Sequence, residues 1–226
     1  MRGQMGKERK RLRLGFDPAP YPRVARCPAC ARAESGGIQT DMERTWQRDL
    51  GGIKVRVVKA DFQGRDADAL VIPTCNLLKM DEGIPAAVRQ AGGEEIEREA
   101  RELAPIAAGA AVVTGAGRLP FRAVVHAAAI GGDGSTTEAR MRLCAYNALK
   151  RCCDNGLACV VMPLPSGTFS GITDSTCCRA VIEGIRDFCL AHPCALRQVE
   201  LVTEDDVLYR DLAAGLERAA REDSEA

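Results

Sequence analysis

No run in this 226-residue chain approaches the ~18–20 consecutive apolar residues that would cross a bilayer, which excludes a membrane-spanning helix. Net charge is also missing: 31 Lys and Arg balance 31 Asp and Glu. Any electrostatic pull must therefore come from a local patch, and neither a membrane nor nucleic acid is expected as a partner. Two patches exist. Residues 1–50 hold 11 bases against 6 acids, about +5, and residues 204–226 hold 8 acids against 3 bases, about −5. Both read as solvated ends. The stretch Lys7 to Arg13 is charged with no apolar run behind it, unlike a secretory leader, so the expected setting is the cytoplasm. Histidine is scarce, at two residues. The pair Cys27-x-x-Cys30 supplies two ligands where a structural zinc site needs four, so neither a metal nor a cofactor is expected. There is no internal repeat.

What remains is ordinary globular material, 46% hydrophobic and 27% charged, enough to bury a sizeable core. The eleven cysteines include Cys144, Cys159 and Cys189 within periodic apolar segments, where a thiol acts as a small hydrophobe in a reducing compartment. Residues 1–41 lack periodicity, carry a basic run and Pro18, Pro20 and Pro22, and read as a flexible basic arm. The domain is expected over 42–220, with an acidic tail at 221–226.

Within the domain, strands are expected at Ile53–Ala60, Ala69–Ile72, Ala110–Thr114, Ala123–Ala128, Cys159–Met162 and Val199–Thr203. Helices are expected at Ile84–Leu103 with a break at Gly92-Gly93, at Glu138–Asp154, at Ser175–Ala191 and from Asp205 to about Arg221. Short continuous apolar strands between such helices imply a mostly parallel sheet covered on both faces. The fold class is α/β, a three-layer α/β/α sandwich.

Three segments carry chemistry. The run Val55-Arg56-Val57-Val58 leads to Lys59-Ala60-Asp61-Phe62. The run Ala69-Leu70-Val71-Ile72 leads to Pro73-Thr74-Cys75-Asn76, then to the loop Lys79-Met80-Asp81-Glu82-Gly83 that opens a helix at Ile84. Further on, Pro163-Leu164-Pro165-Ser166-Gly167-Thr168-Phe169-Ser170-Gly171 joins a strand to a helix. An acid after one strand, an amide after its neighbour and helix N-termini beside them are the parts of a nucleotide-diphosphate pocket at strand C-termini. Their order resembles the macro domain, an ADP-ribose-binding module with the pattern V-x-x-G-D-I, D-A-I-V-N-A-A-N, G-G-G-V-x-x-A-I. The chain looks like a divergent member of that family.

The resemblance implies a mixed central sheet of about six strands and a set of roles. Asp61 would accept a hydrogen bond from the adenine amino group, as an acceptor-only carboxylate can; otherwise it is a turn aspartate. Phe62 would pack near the base, and Asn76 would contact the distal ribose. Gly83 and Ile84, with Ser166, Gly167, Thr168 and Phe169, would offer amides to the diphosphate. His126 at a strand end and His192 at a helix end read as structural, satisfied by backbone groups and by terminal carbonyls respectively. Several positions depart from the pattern. Pro73 stands for the first asparagine, Pro85 for the aspartate of the hydrolytic branch, and Glu204 for an aromatic beside the base. Asp81 and Glu82 replace glycines. At ~6 Å and an effective dielectric of ~20, each would repel a phosphate charge by about 3 kcal/mol unless turned into water.

These departures leave three functions open. The first is binding of ADP-ribose or a related nucleotide diphosphate, free or on an ADP-ribosylated protein. The second is hydrolysis of ADP-ribose esters, with Asn76 positioning the sugar and Asp81 or Glu82 as a displaced general base. The third is a fold that lost its ligand and serves as an interaction domain.

Overall fold

A computed structural model of the chain describes residues 44–167, 171–192 and 195–224. The expected arm at 1–41, the Cys27/Cys30 pair, Thr168 and Phe169 lie outside the described residues. The strands are β1 Thr45–Leu50, β2 Ile53–Lys59, β3 Ala69–Cys75, β4 Ala111–Thr114, β5 Ala123–Ile130, β6 Cys159–Pro163 and β7 Gln198–Thr203. The helices are α1 Gly83–Gly92, α2 Glu94–Leu103, α3 Glu138–Asp154, α4 Asp174–Ala191 and α5 Asp206–Ser224.

The strands form one mixed sheet in the order β1-β2-β7-β6-β3-β5-β4, parallel except for its two antiparallel edges, β1 on β2 and β4 on β5. The interior strands are buried on both faces; every residue of β6 is buried. On one face Val71, Val125, Val160 and Leu201 pack with α3, α4 and α5, through Leu149, Ile185 and Leu212. On the other Leu70, Ile72, Val124 and Val202 pack with Val88 of α1 and Ile96 of α2. Two apolar layers against one sheet make the three-layer sandwich.

The sheet has seven strands, one more than expected. The addition is β1, whose sequence Thr-Trp-Gln-Arg-Asp-Leu offers little apolar periodicity because it is an exposed edge. Its strand character comes from pairing: Leu50 faces Ile53 across Gly51-Gly52, at φ 52° and 82°, the left-handed pair a tight two-residue hairpin requires. A side chain at Gly51 would also meet the carbonyl of Cys189 at 2.9 Å. The single interrupted helix at 84–103 is two helices, since Gly93 at φ 113° leaves helical geometry. At the other end α5 reaches Ser224, taking in most of the expected acidic tail, because Arg186 of α4 pairs with Glu222 and Asp223. Cys159, read from sequence as a packed thiol, is disulfide-bonded.

The most consequential difference lies in β3, which continues through Pro73 to Cys75 rather than stopping at Ile72. Beyond Ile72 it pairs only with β5. Its ladder to β6 is confined to Ala69 and Leu70, so Pro73, with no N–H to donate, sits where that pairing has already ended. The carboxyl ends of β3 and β6 therefore part. No helix among the described residues is long and apolar enough to cross a membrane.

Candidate functional site

The parting of β3 and β6 opens a cleft at the carboxyl edge of the sheet, the place where doubly wound folds receive ligands. It has two lobes. One, of about 460 Å³, is walled by the residues after β2 (Ala60 to Gln63), the residues after β7 (Thr203 to Asp205) and the β6 loop from Pro163 to Ser166. The other, of about 210 Å³, lies over the end of β3 and is lined by Thr74, Cys75, Lys79, Asp81, Glu82 and Ile130. Gly83, Ile84 and Pro165 belong to both. The lobes thus meet at the first turn of α1.

That turn has an unusual terminus. Glu82 is the N-cap, but its side chain makes no capping bond, and the amides of Gly83 and Ile84 find no acceptor among the described residues. Helix starts leave such donors to side chains, water or a ligand, and concentrate partial positive charge there. The loop leading in is held from below. Met80, fully buried, donates its N–H to Glu97 of α2 at 3.3 Å, and Glu97 also receives Arg89 at 3.0 Å and Arg101 at 2.7 Å. Burial would raise the Glu97 carboxyl, yet the hydrogen bonds from Arg101, Arg89 and Met80 outweigh it and hold it below the usual glutamate value.

The cleft brings together most of the residues expected from sequence. Asp61 and Phe62 line the larger lobe. Phe62 is 4% exposed and packs into the α1–α2 layer, while Asp61 is half-buried, one oxygen taking the N–H of Phe62 at 2.6 Å. Gly83 and Ile84 stand at the junction, and Ser166 ends the β6 wall. Asp81 and Glu82 do line the smaller lobe, but both are exposed, so water screens them and neither fills the space. Glu204 is likewise exposed at the rim of the larger lobe.

Other positions fall differently. Asn76 is not among the lining residues. Its backbone bonds Ile130 and Ile106, and its side-chain nitrogen lies near Gly132. Gly167 directs its N–H to both carboxylate oxygens of Asp174, each at 3.0 Å. His126 is fully buried away from the cleft, 2.9 Å from the Thr114 hydroxyl through Nε2, with Nδ1 unpartnered. It is held by a side chain rather than by backbone groups, and burial lowers its pKa to about 4. The His192 ring meets the Tyr146 hydroxyl at 2.7 Å, and it is the backbone N–H of His192 that bonds a helix-terminal carbonyl, that of Phe188 at 3.0 Å. Cys75 in the lining and Asp174 behind it both escaped the sequence reading. Cys75 lines the smaller lobe only because β3 runs past Pro73. Asp174 had a signal, the first acid in the helix after the glycine loop, but nothing local says that it turns back.

Below the shared prolines Pro73, Pro163 and Pro165, a chamber of about 50 Å³ is lined almost entirely by apolar groups such as Val71, Met141 and Met162. With so little polar surface, it offers nothing to orient a ligand. A groove of about 670 Å³ along α2 is lined by paired Arg and Glu side chains on the surface.

Comparison with known proteins places this architecture. The family model "Macro domain" matches residues 72–179, a span running from the end of β3 into α4 and so over the smaller lobe and the β6 loop, though not over Asp61. An uncharacterised protein of Aquifex aeolicus is 35% identical over 153 residues, 67% of this chain and 91% of that protein. Among solved structures, the Oceanobacillus iheyensis macrodomain with ADP superposes with a TM-score of 0.72 at 16% identity, covering 80% of this chain and 100% of that one. The Trypanosoma brucei macrodomain in complex with ADP-ribose gives a TM-score of 0.58 at 21% identity, covering 66% and 62%. Those likenesses speak to the fold. With the family model covering the smaller lobe and the β6 loop, and a relative 35% identical of which this chain covers 91%, the chain belongs to the macro domain family.

Proposed function

We propose that this chain binds ADP-ribose, or a closely related adenine nucleotide diphosphate, across the two lobes. The observation that carries the reading is the uncapped first turn of α1: Gly83 and Ile84 line both lobes, and their amides lack an acceptor among the described residues. An elongated ligand with an anionic centre suits that arrangement: a base in the larger lobe, a diphosphate at the amides, a sugar in the smaller lobe. Asp61 would take the adenine amino group with the oxygen that Phe62 does not use, and Phe62 would flank the base. Ser166, Gly167 and the adjoining Thr168 and Phe169 would complete the diphosphate site, and Asn76 would approach the distal ribose from the rim. The matched macrodomains that carry ADP and ADP-ribose support the choice of ligand. An ADP-ribosylated protein is the partner this reading favours, and a cytoplasmic setting is part of the proposal: the free thiols Cys144, Cys177 and Cys178 support it, while the disulfide at Cys159 does not.

Isothermal calorimetry with ADP-ribose tests the proposal. Saturable heat, abolished in Asp61→Ala, is expected; no heat at millimolar ligand would end it and leave an interaction domain. One observation favours hydrolysis as a second reading: Asp81, an ionisable group, lines the lobe assigned to the sugar. Turnover of an ADP-ribose ester that is lost in Asp81→Ala would support it, whereas unchanged turnover would remove Asp81 as the base.

A further inference from the structure

The β6 loop carries its own anion. Gly167, the residue after Ser166 in the cleft wall, sits at φ 61°, and its N–H is shared between Oδ1 and Oδ2 of Asp174 at 3.0 Å each. Asp174 is not needed as the helix cap. Thr173 does that, its hydroxyl accepting the N–H of Thr176 at 3.2 Å. Nor is Asp174 neutralised, since no Lys or Arg pairs with it among the described residues. In the first turn of α4 the helix dipole favours a carboxylate, as it would favour a phosphate. Acids that line the cleft behave differently: Asp205 caps α5 through Val207 and Leu208, and Asp61 binds its own neighbour. Asp174, outside the lining, reaches back to an amide of the loop beside the cleft.

We infer that Asp174 is a specificity-determining residue, an internal carboxylate standing in for a phosphate, which an incoming diphosphate must displace from the Gly167 amide. The inference rests on the proposed binding of an adenine nucleotide. It implies that the cleft discounts the charged centre of its ligand: adenosine, which leaves the latch closed, is penalised less than ADP-ribose. The chemistry is a competition between two anions for one donor, with like-charge repulsion added because Asp174 stays nearby when displaced.

Asp174→Asn separates charge from structure, because the amide oxygen still accepts the Gly167 N–H. Calorimetry with adenosine and with ADP-ribose, at low and high salt, reads the effect, after a thermal melt has shown that the variant is folded. ADP-ribose is expected to bind Asp174→Asn about tenfold tighter than wild type, about 1.4 kcal/mol. Adenosine affinity should stay within about twofold, and the gain should shrink as salt screens the repulsion. Asp174→Ala, which also frees the amide, should gain at least as much. An ADP-ribose affinity that is unchanged or weaker in both variants, with adenosine still bound, overturns the inference and leaves the binding proposal intact. If neither ligand binds any form, both fall.

Discussion

His126 sits neutral inside the sheet, and acid should find it. Burial takes its pKa from 6.5 to about 4, and Nδ1, the nitrogen that would receive a proton, has no partner to stabilise the charge. As pH falls below 6.5 the unfolded chain takes up a proton on this residue while the native chain does not, so the unfolded state is favoured progressively. The contribution is present in full above about 6.5 and is lost down to about 4. The two values differ by about 2.5 units, so the total is about 3 kcal/mol, of which about 2–3 kcal/mol is lost between about pH 7 and about pH 4.5. Carboxylates begin to titrate at the lower end of that window, so the measurement needs an internal control. Urea unfolding of wild type and His126→Asn at several pH values in the window supplies it: the variant, though less stable at neutral pH, should show the shallower decline, and the two curves should converge towards about pH 4.5. Parallel declines would refute the reasoning, as would an imidazole signal titrating near 6.5 by NMR. A histidine held neutral this way does not serve the cleft as a base, consistent with its position away from it.

Two further outcomes follow from packing and exposure. Gly184 of α4 lies so close to α3 that an added Cβ would stand 2.2 Å from the Arg142 carbonyl oxygen and 2.9 Å from Ala145 Cβ. Gly184→Ala should therefore destabilise by about 1–3 kcal/mol, read as a lower urea midpoint at unchanged slope. Cys75 is half-buried and lines the smaller lobe, whereas Cys144, Cys177 and Cys178 are buried; burial pushes the first two thiols up to about 12 and raises that of Cys178 as well. An alkylating reagent at mild pH should label Cys75 ahead of those three by mass spectrometry. Saturating ADP-ribose should slow that labelling at least severalfold, and equal labelling with and without ligand would count against a sugar in that lobe.

The sequence by itself determined the layers and the order of the parts. Apolar runs such as Cys159–Pro163, β-branched and bounded by turn residues, have few places to go except a sheet covered on both sides, and the helices between them carry one apolar face each. Asp61 and Ser166 were legible as residues of the cleft wall because each follows a strand, and Gly83 because it opens the helix after one; strand ends in this class of fold converge. The hairpin strand β1 was not legible, since an exposed edge draws its stability from a partner's backbone and leaves little pattern in its own side chains. Tertiary structure alone decided three things about the cleft. It carried β3 through Pro73 because the partner that would need that N–H had already turned away, which brought Cys75 into the wall and left Asn76 outside it. It left Asp81 and Glu82 exposed on the wall of the smaller lobe, where water screens their charge. It also closed Asp174 onto Gly167, a contact between a loop and the helix after it that no periodicity encodes, because it depends on where two chain segments stop rather than on what each prefers to form.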